Sequence, residues 1–143
     1  MMPESVRLLF SSGEATLALA KQNRISAVRY GRGLAPALEI FEKQPNLLAG
    51  AEVYDLIVGK AAASVFILGE ACYVYGFTMS RSAADLLAAY GVSFGCQTLA
   101  DEILNRSGTG PHPLEQSLLR CTTPDDCLPI IYAALAQPHR QAT

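Results

Sequence analysis

Three short stretches bring together side chains able to do chemistry. "DLIVGKAAAS" places Asp55 five residues before Lys60, and Lys60 opens an otherwise apolar run. "TMSRSAADLL" carries Ser80 and Ser82 at a helix start. "NRSGTGPHPLE" holds Arg106, Gly108, Thr109, Gly110, His112 and Glu115 within eleven residues. An amine at a helix N-terminus adds to the positive end of the helix dipole and suits an anion. The same amine, desolvated, is a base or a Schiff-base nucleophile. The structural alternative for Lys60 is a snorkelling side chain or an ion pair with Asp55. The Gly59–Lys60 pair is not a nucleotide-triphosphate loop. Position 54 is Tyr, where that motif needs glycine, and Ala61 replaces the hydroxyl residue.

Arg106 supplies a planar two-pronged donor, and Gly108 and Gly110 permit positive φ and bare amides, so this loop suits a phosphate or carboxylate. The alternative is a bend that ends one helix and starts the next. His112 fits a general base or a helix cap, and Glu115 a general acid or a helix-start charge. Ser80 and Ser82 read as caps, because no G-x-S-x-G elbow surrounds either.

The elements that must position these residues follow from periodicity and punctuation. "PESVRLLF" predicts a short helix with Pro3 in its first turn. "ATLALA" and "ISAVRY" predict a hairpin turning at Asn23. "LAPALEIFEK" predicts a helix that Pro45 stops. "AEVYDLIVG" fits either a short strand or an extended lead into the next helix with Asp55 as cap. "KAAASVFIL" predicts a helix buried on most sides, and "CYVYGFTM" a strand. "SRSAADLLAAYG" predicts a helix capped by Ser82, with Asp85 in its first turn and Gly91 as its stop. "VSFGC" predicts a short strand, and "TLADEILNR" a helix begun by Thr98 and Asp101. "HPLEQSLLR" has Pro113 at the first helical position. "TPDDCLPIIYAALA" has Thr123 as cap, Pro124 at N1 and Pro129 as a kink or restart. The tail from Gln137, with His139, reads as loose.

Strands alternating with helices predict an α/β domain whose sheet is covered on both faces. In such sheets ligands bind beyond the carboxyl ends of the strands. The 143 residues suit a single domain, and 50% hydrophobic with 17% charged residues supports a sizeable core. Eleven basic and 13 acidic residues, net −2 and without a basic block, exclude a general nucleic-acid binder. No stretch is long and apolar enough to span a bilayer, and the start lacks the pattern of a signal peptide, so a cytoplasmic protein away from membranes is expected. Cys72, Cys96, Cys121 and Cys127 lack paired metal spacing and are expected to be four reduced thiols.

Together the three stretches resemble the family called domain of unknown function 1893, from about Ala15 to about Ile131. Asp55, Val58, Gly59, Lys60, Ala61, Ala62 and Ala63 match its first motif; Arg106, Gly108, Thr109, Gly110, Pro113 and Glu115 match its last. His112 stands where the family often has Cys. The resemblance implies a prokaryotic protein with a cytidine-deaminase-like fold: a three-layer α/β/α sandwich around a mixed sheet of four or five strands. Zinc deaminases take their ligands from H-x-E and P-C-x-x-C at two helix starts. The equivalent starts here, near Gly59–Lys60 and Ser80–Ala83, hold no His, Cys or Glu. Zinc-dependent deamination, a metal site and a cofactor are therefore not expected.

The resulting expectation is a pocket for a small anionic ligand, such as a nucleotide or phosphorylated metabolite. Asp55, Gly59, Lys60, Ser80, Ser82, Arg106, Gly108, Thr109 and Gly110 would line it. Two alternatives stand beside it. One is a metal-free enzyme using Lys60 with His112 or Glu115. The other is an interaction module whose helices after Thr123 offer a homodimer or partner surface.

Overall fold

The computed structural model describes residues 2–136, so the reading of the tail lies outside the described residues. Helix α1 (Glu4–Ser11) leads into strands β1 (Leu17–Lys21) and β2 (Arg24–Arg29). Gln22 and Asn23, at φ +52° and +65°, supply the left-handed pair that a two-residue hairpin turn needs. Helix α2 (Ala35–Lys43) follows. Pro45 ends it but also starts a further turn of helix, α3 (Pro45–Leu48). The chain continues through β3 (Glu52–Val58), α4 (Lys60–Leu68), β4 (Tyr73–Ser80), α5 (Arg81–Ala89), β5 (Ser93–Ala100), α6 (Pro113–Ser117) and α7 (Pro124–Leu135).

The five strands form one mixed sheet in the order β2-β1-β3-β4-β5. The β1 strand is antiparallel to both β2 and β3, whereas β3, β4 and β5 are parallel. Both parallel crossovers step the same way across the sheet. Their shared handedness accordingly puts α4 and α5 on one face. There Leu17, Leu19, Val53, Val58, Val74 and Met79 meet α2, α4 and α5 through Ile40, Phe66 and Leu87. Each of these side chains contributes about 1.5–3 kcal/mol on burial. The opposite face is covered by α1, through Val6 on Ala18, Ala20 and Tyr54. Outside α4 lies a second cluster, in which Ala61 meets Leu114, Leu118, Cys121, Cys127, Ile131 and Ala134. The α6–α7 segment thus docks on the first turn of α4.

The structure decides four local readings. "AEVYDLIVG" is a strand, so Asp55 is no helix cap; it pairs in register with Leu17 and Gly76. Ser80, not Ser82, caps α5, its Oγ accepting from the Ala83 amide at 3.1 Å. The segment around Thr98 and Asp101 is not a helix. Thr98, Leu99 and Ala100 extend β5 beside Thr78, Met79 and Ser80, so pairing with β4 overrides the local capping pattern. Pro129 lies inside a continuous α7 and does not restart it. Among the described residues no helix is long and apolar enough to cross a membrane.

Candidate functional site

The parallel strands β3, β4 and β5 end side by side at Val58, Ser80 and Ala100. Two of those ends lead directly into helices, α4 at Lys60 and α5 at Arg81. A cavity of about 180 Å³ opens beyond them, as expected for an open α/β sheet. Its floor is Lys60, Ser80 and Ser82. The segment after β5 supplies Asp101, Glu102 and Ile103, and the α6 side supplies Pro111, Glu115, Gln116 and Leu119.

Glu115 organises this floor. Its Oε1 accepts from the Lys60 amide at 2.7 Å and its Oε2 from the Ala61 amide at 3.1 Å. These are orphan donors of the first turn of α4, so an internal carboxylate occupies the positive end of that helix. Glycine at position 59 leaves the room for this approach. A Cβ there would lie 2.6 Å from Glu115 Cδ and 2.7 Å from each carboxylate oxygen. The Lys60 ammonium turns to the far end of α6, donating to the carbonyl of Leu118 at 2.9 Å and to that of Cys121. Lys60 therefore holds α6 at both ends, by its backbone and by its side chain. The ion pair with Asp55, one of the two structural alternatives for Lys60, is not made: the ammonium finds carbonyls instead.

Asp55 lies buried in β3, away from the cavity lining. Burial pushes its carboxyl up to about 8, against a smaller opposing effect of the Ile57 and Leu56 amides. Ser80 is buried, and its hydroxyl lies 3.2 Å from that of Ser82, which lines the cavity. Arg81 Nε pairs with Asp101 at 2.7 Å on the open rim, an exposed pair of small energetic weight.

The stretch that looked most like an anion loop folds on itself. The Asn105 amide donates to the Gly110 carbonyl at 2.9 Å, and Asn105 Oδ1 accepts from the Thr109 amide at 3.1 Å. Gly108, at φ +72°, makes the turn. Arg106 is exposed, and neither it nor Gly108, Thr109 or Gly110 lines the cavity. Only the base of this loop does, through Ile103 and Pro111. His112 caps α6, its Nδ1 accepting from the Leu114 amide at 3.2 Å, and it too stands outside the lining.

The local pattern, which predicts a helix begun by Thr98 and Asp101, gives no sign that Asp101 and Glu102 line the cavity. A β5 extended to Ala100 puts both at a strand's carboxyl end, which is the signal that would have found them. The expectation of four reduced thiols is also corrected. Cys121 and Cys127 form a disulfide, with Cα atoms 5.6 Å apart, while Cys72 and Cys96 are free. Spacing rules for metal ligands carry no information about the Thr123 turn between α6 and α7, which brings the two sulfurs together. Among the described residues no group of three His, Cys, Asp or Glu side chains is arranged to hold a metal ion.

The family model for the domain of unknown function DUF1893, also labelled TM1506, matches residues 5–134. The chain belongs to the DUF1893 family. A crystal structure of a DUF1893 family protein (TM1506) from Thermotoga maritima is similar throughout. At 27% identity it aligns over 95% of this chain and 89% of its own, with a TM-score of 0.82. No curated protein matches the chain. The DUF1893 match spans all five strands and both helix starts that floor the cavity, so the site lies within the part of the chain that defines the family.

Proposed function

We propose that this DUF1893 domain binds a small polar ligand, without chemical turnover, in the cavity beyond β3, β4 and β5. The observation that carries this reading is a hollow rimmed by Asp101, Glu102 and Glu115 whose one lysine already serves two carbonyls. With Glu115 on the α4 amides and Asp101 paired with Arg81, Glu102 is the carboxylate of this rim that is uncommitted among the described residues. Beside a committed ammonium it disfavours a phosphate and favours a neutral or cationic ligand with hydrogen-bond donors. The anionic ligand suggested by the sequence would need Glu115 to leave the α4 amides. Ile103, Pro111 and Leu119 offer an apolar wall. The volume lies below the roughly 300–1,000 Å³ of drug-sized sites, which limits the ligand to the scale of a base, an amine or an amino acid.

A cytidine-deaminase-like arrangement belongs to this proposal. The family resemblance and the two helix starts at the strand ends support it. The donor set at those starts does not suit zinc, because Gly59, Lys60, Ser80 and Ser82 stand where such ligands would be needed. A Schiff-base role for Lys60 is disfavoured by its two carbonyl partners. The homodimer alternative rests on α7, where Pro129, Tyr132, Ala133 and Ala136 are exposed at helical spacing beside the charged Asp125 and Asp126.

A thermal-shift screen of nucleobases, small amines and amino-acid amides, set against inorganic phosphate and nucleotides, tests the reading. Stabilisation by the donor-rich set, weakened in Glu102→Gln, is the expected result. Equal or greater stabilisation by phosphates, insensitive to Glu102→Gln, would overturn it.

A further inference from the structure

The two cysteines of the disulfide differ in exposure. Cys127 is fully buried within the α6–α7 cluster. Cys121 is 8% exposed and forms part of the wall of a second, more open groove of about 340 Å³. That groove runs between α5, at Ser82, Asp85 and Ala89, and the segment carrying Leu119, Cys121 and Thr122. Leu119 lines both hollows, and Lys60 lies between them. The carbonyls of Leu118 and Cys121 in this segment hold the Lys60 ammonium. The disulfide therefore links a residue on a groove wall to a fully buried one behind it, and the backbone it restrains also positions Lys60.

We propose that Cys121–Cys127 is a thiol-exchange site, entered at Cys121 through this groove, whose redox state sets the wall shared by the two hollows. A thiolate of a dithiol reductant attacks Cys121 Sγ, and the bond to Cys127 Sγ breaks. The electron pair stays on Cys127, which takes up a proton. The second thiolate of the reductant then attacks the reductant's own sulfur in the mixed disulfide and frees Cys121, which is protonated in turn. The protein gains two electrons and two protons, and the reductant closes to its cyclic disulfide. Shielding of Cys127 directs the attack to Cys121. Once the link is open, the segment from Leu118 to Thr123 keeps only its apolar packing and the Thr123 cap of α7, and the Lys60 acceptors are free to shift.

The site is independent of any ligand, so its test does not depend on the proposed function. Oxidised full-length chain is alkylated with iodoacetamide before and after native treatment with dithiothreitol. Two adducts, on Cys72 and Cys96, are expected before reduction, and four after it. Amide hydrogen exchange over residues 118–123 should quicken about tenfold on reduction, while β1 and β3 stay unchanged. With 5,5′-dithiobis(2-nitrobenzoate), the remaining Cys121 in Cys127→Ser should react about tenfold faster than the remaining Cys127 in Cys121→Ser. Four free thiols in the air-oxidised chain, exchange unaltered by reduction, or Cys127 reacting as fast as Cys121 would each overturn the proposal. The exchange measurement uses the unaltered sequence and stands even where a serine variant folds poorly.

Discussion

The carboxylate of Glu115 caps the helix that Lys60 opens, 2.7 Å from its backbone nitrogen, across 55 residues of chain. The Lys60 side chain then returns to the carbonyls that follow Glu115, at Leu118 and Cys121. Two residues that each looked chemical in the sequence thus spend much of their bonding capacity on each other's helices. The consequence is a short α6 fixed firmly over the cavity floor.

Removing the carboxylate leaves two first-turn amides of α4 without their anion. Glu115→Ala should cost about 2 kcal/mol, the order expected for hydrogen bonds to a charged group, with Glu115→Gln costing roughly half. Urea denaturation measures both, and a Glu115→Ala midpoint equal to that of the unaltered chain would show that the contact does not stabilise the fold.

Gly59 has an ordinary backbone, φ −96° and ψ −173°, so alanine there meets no conformational strain, and the three atoms nearest its Cβ all belong to the Glu115 carboxylate. Gly59→Ala should displace Glu115 and cost about as much as Glu115→Ala, roughly 2 kcal/mol. In the Glu115→Ala background the same substitution should be nearly neutral. A double-mutant cycle reads this coupling; simple additivity would mean that the glycine serves some other purpose.

Lys60→Met removes the donor shared by two carbonyls and leaves them to be satisfied by water. A loss of about 1–3 kcal/mol is expected, together with faster amide exchange over residues 118–123. Unchanged exchange in that segment would contradict the role of Lys60 as its tether.

Asp55 gives the stability a pH dependence of known sign. A carboxyl raised to about 8 by burial is neutral in the folded state where the unfolded chain is already ionised. Its contribution is fully present below the ordinary carboxylate range, about pH 4, and is lost progressively as pH rises to about 8. Asp55→Asn keeps an acceptor for the Leu56 and Ile57 amides and removes the titration. Denaturation curves at pH 5 and pH 8 should therefore diverge more for the unaltered chain than for Asp55→Asn. Equal differences in the two proteins would assign the pH dependence to other groups.

Much of the architecture was legible along the chain. Alternating apolar residues around Asn23 announced the hairpin, and the run after Lys60 announced a buried helix, because both patterns arise from backbone periods of two and about 3.6 residues. Thr123 and Pro124 announced the start of α7 by the local chemistry of a helix N-terminus. The absence of His, Cys and Glu at the two helix starts was equally plain, and it already argued against zinc there.

The rest was decided by contacts between residues distant in sequence. Nothing local distinguishes Thr98–Ala100 as a strand from a helix start; pairing with Thr78–Ser80 decides it. Nothing near Arg106 shows that its loop closes on Asn105 and leaves the cavity to Asp101 and Glu102. The Cys121–Cys127 bond depends on how α6 turns into α7, and the Glu115 carboxylate on where that turn docks. The sequence by itself determined most of the helices, the hairpin and the inventory of reactive groups, because those depend on neighbours one to four residues away. Which of those groups face the cavity, and which are consumed in holding it together, only the tertiary structure decided. Hydrogen bonds act over about 3 Å in space, and proximity in space is not encoded by spacing along the chain.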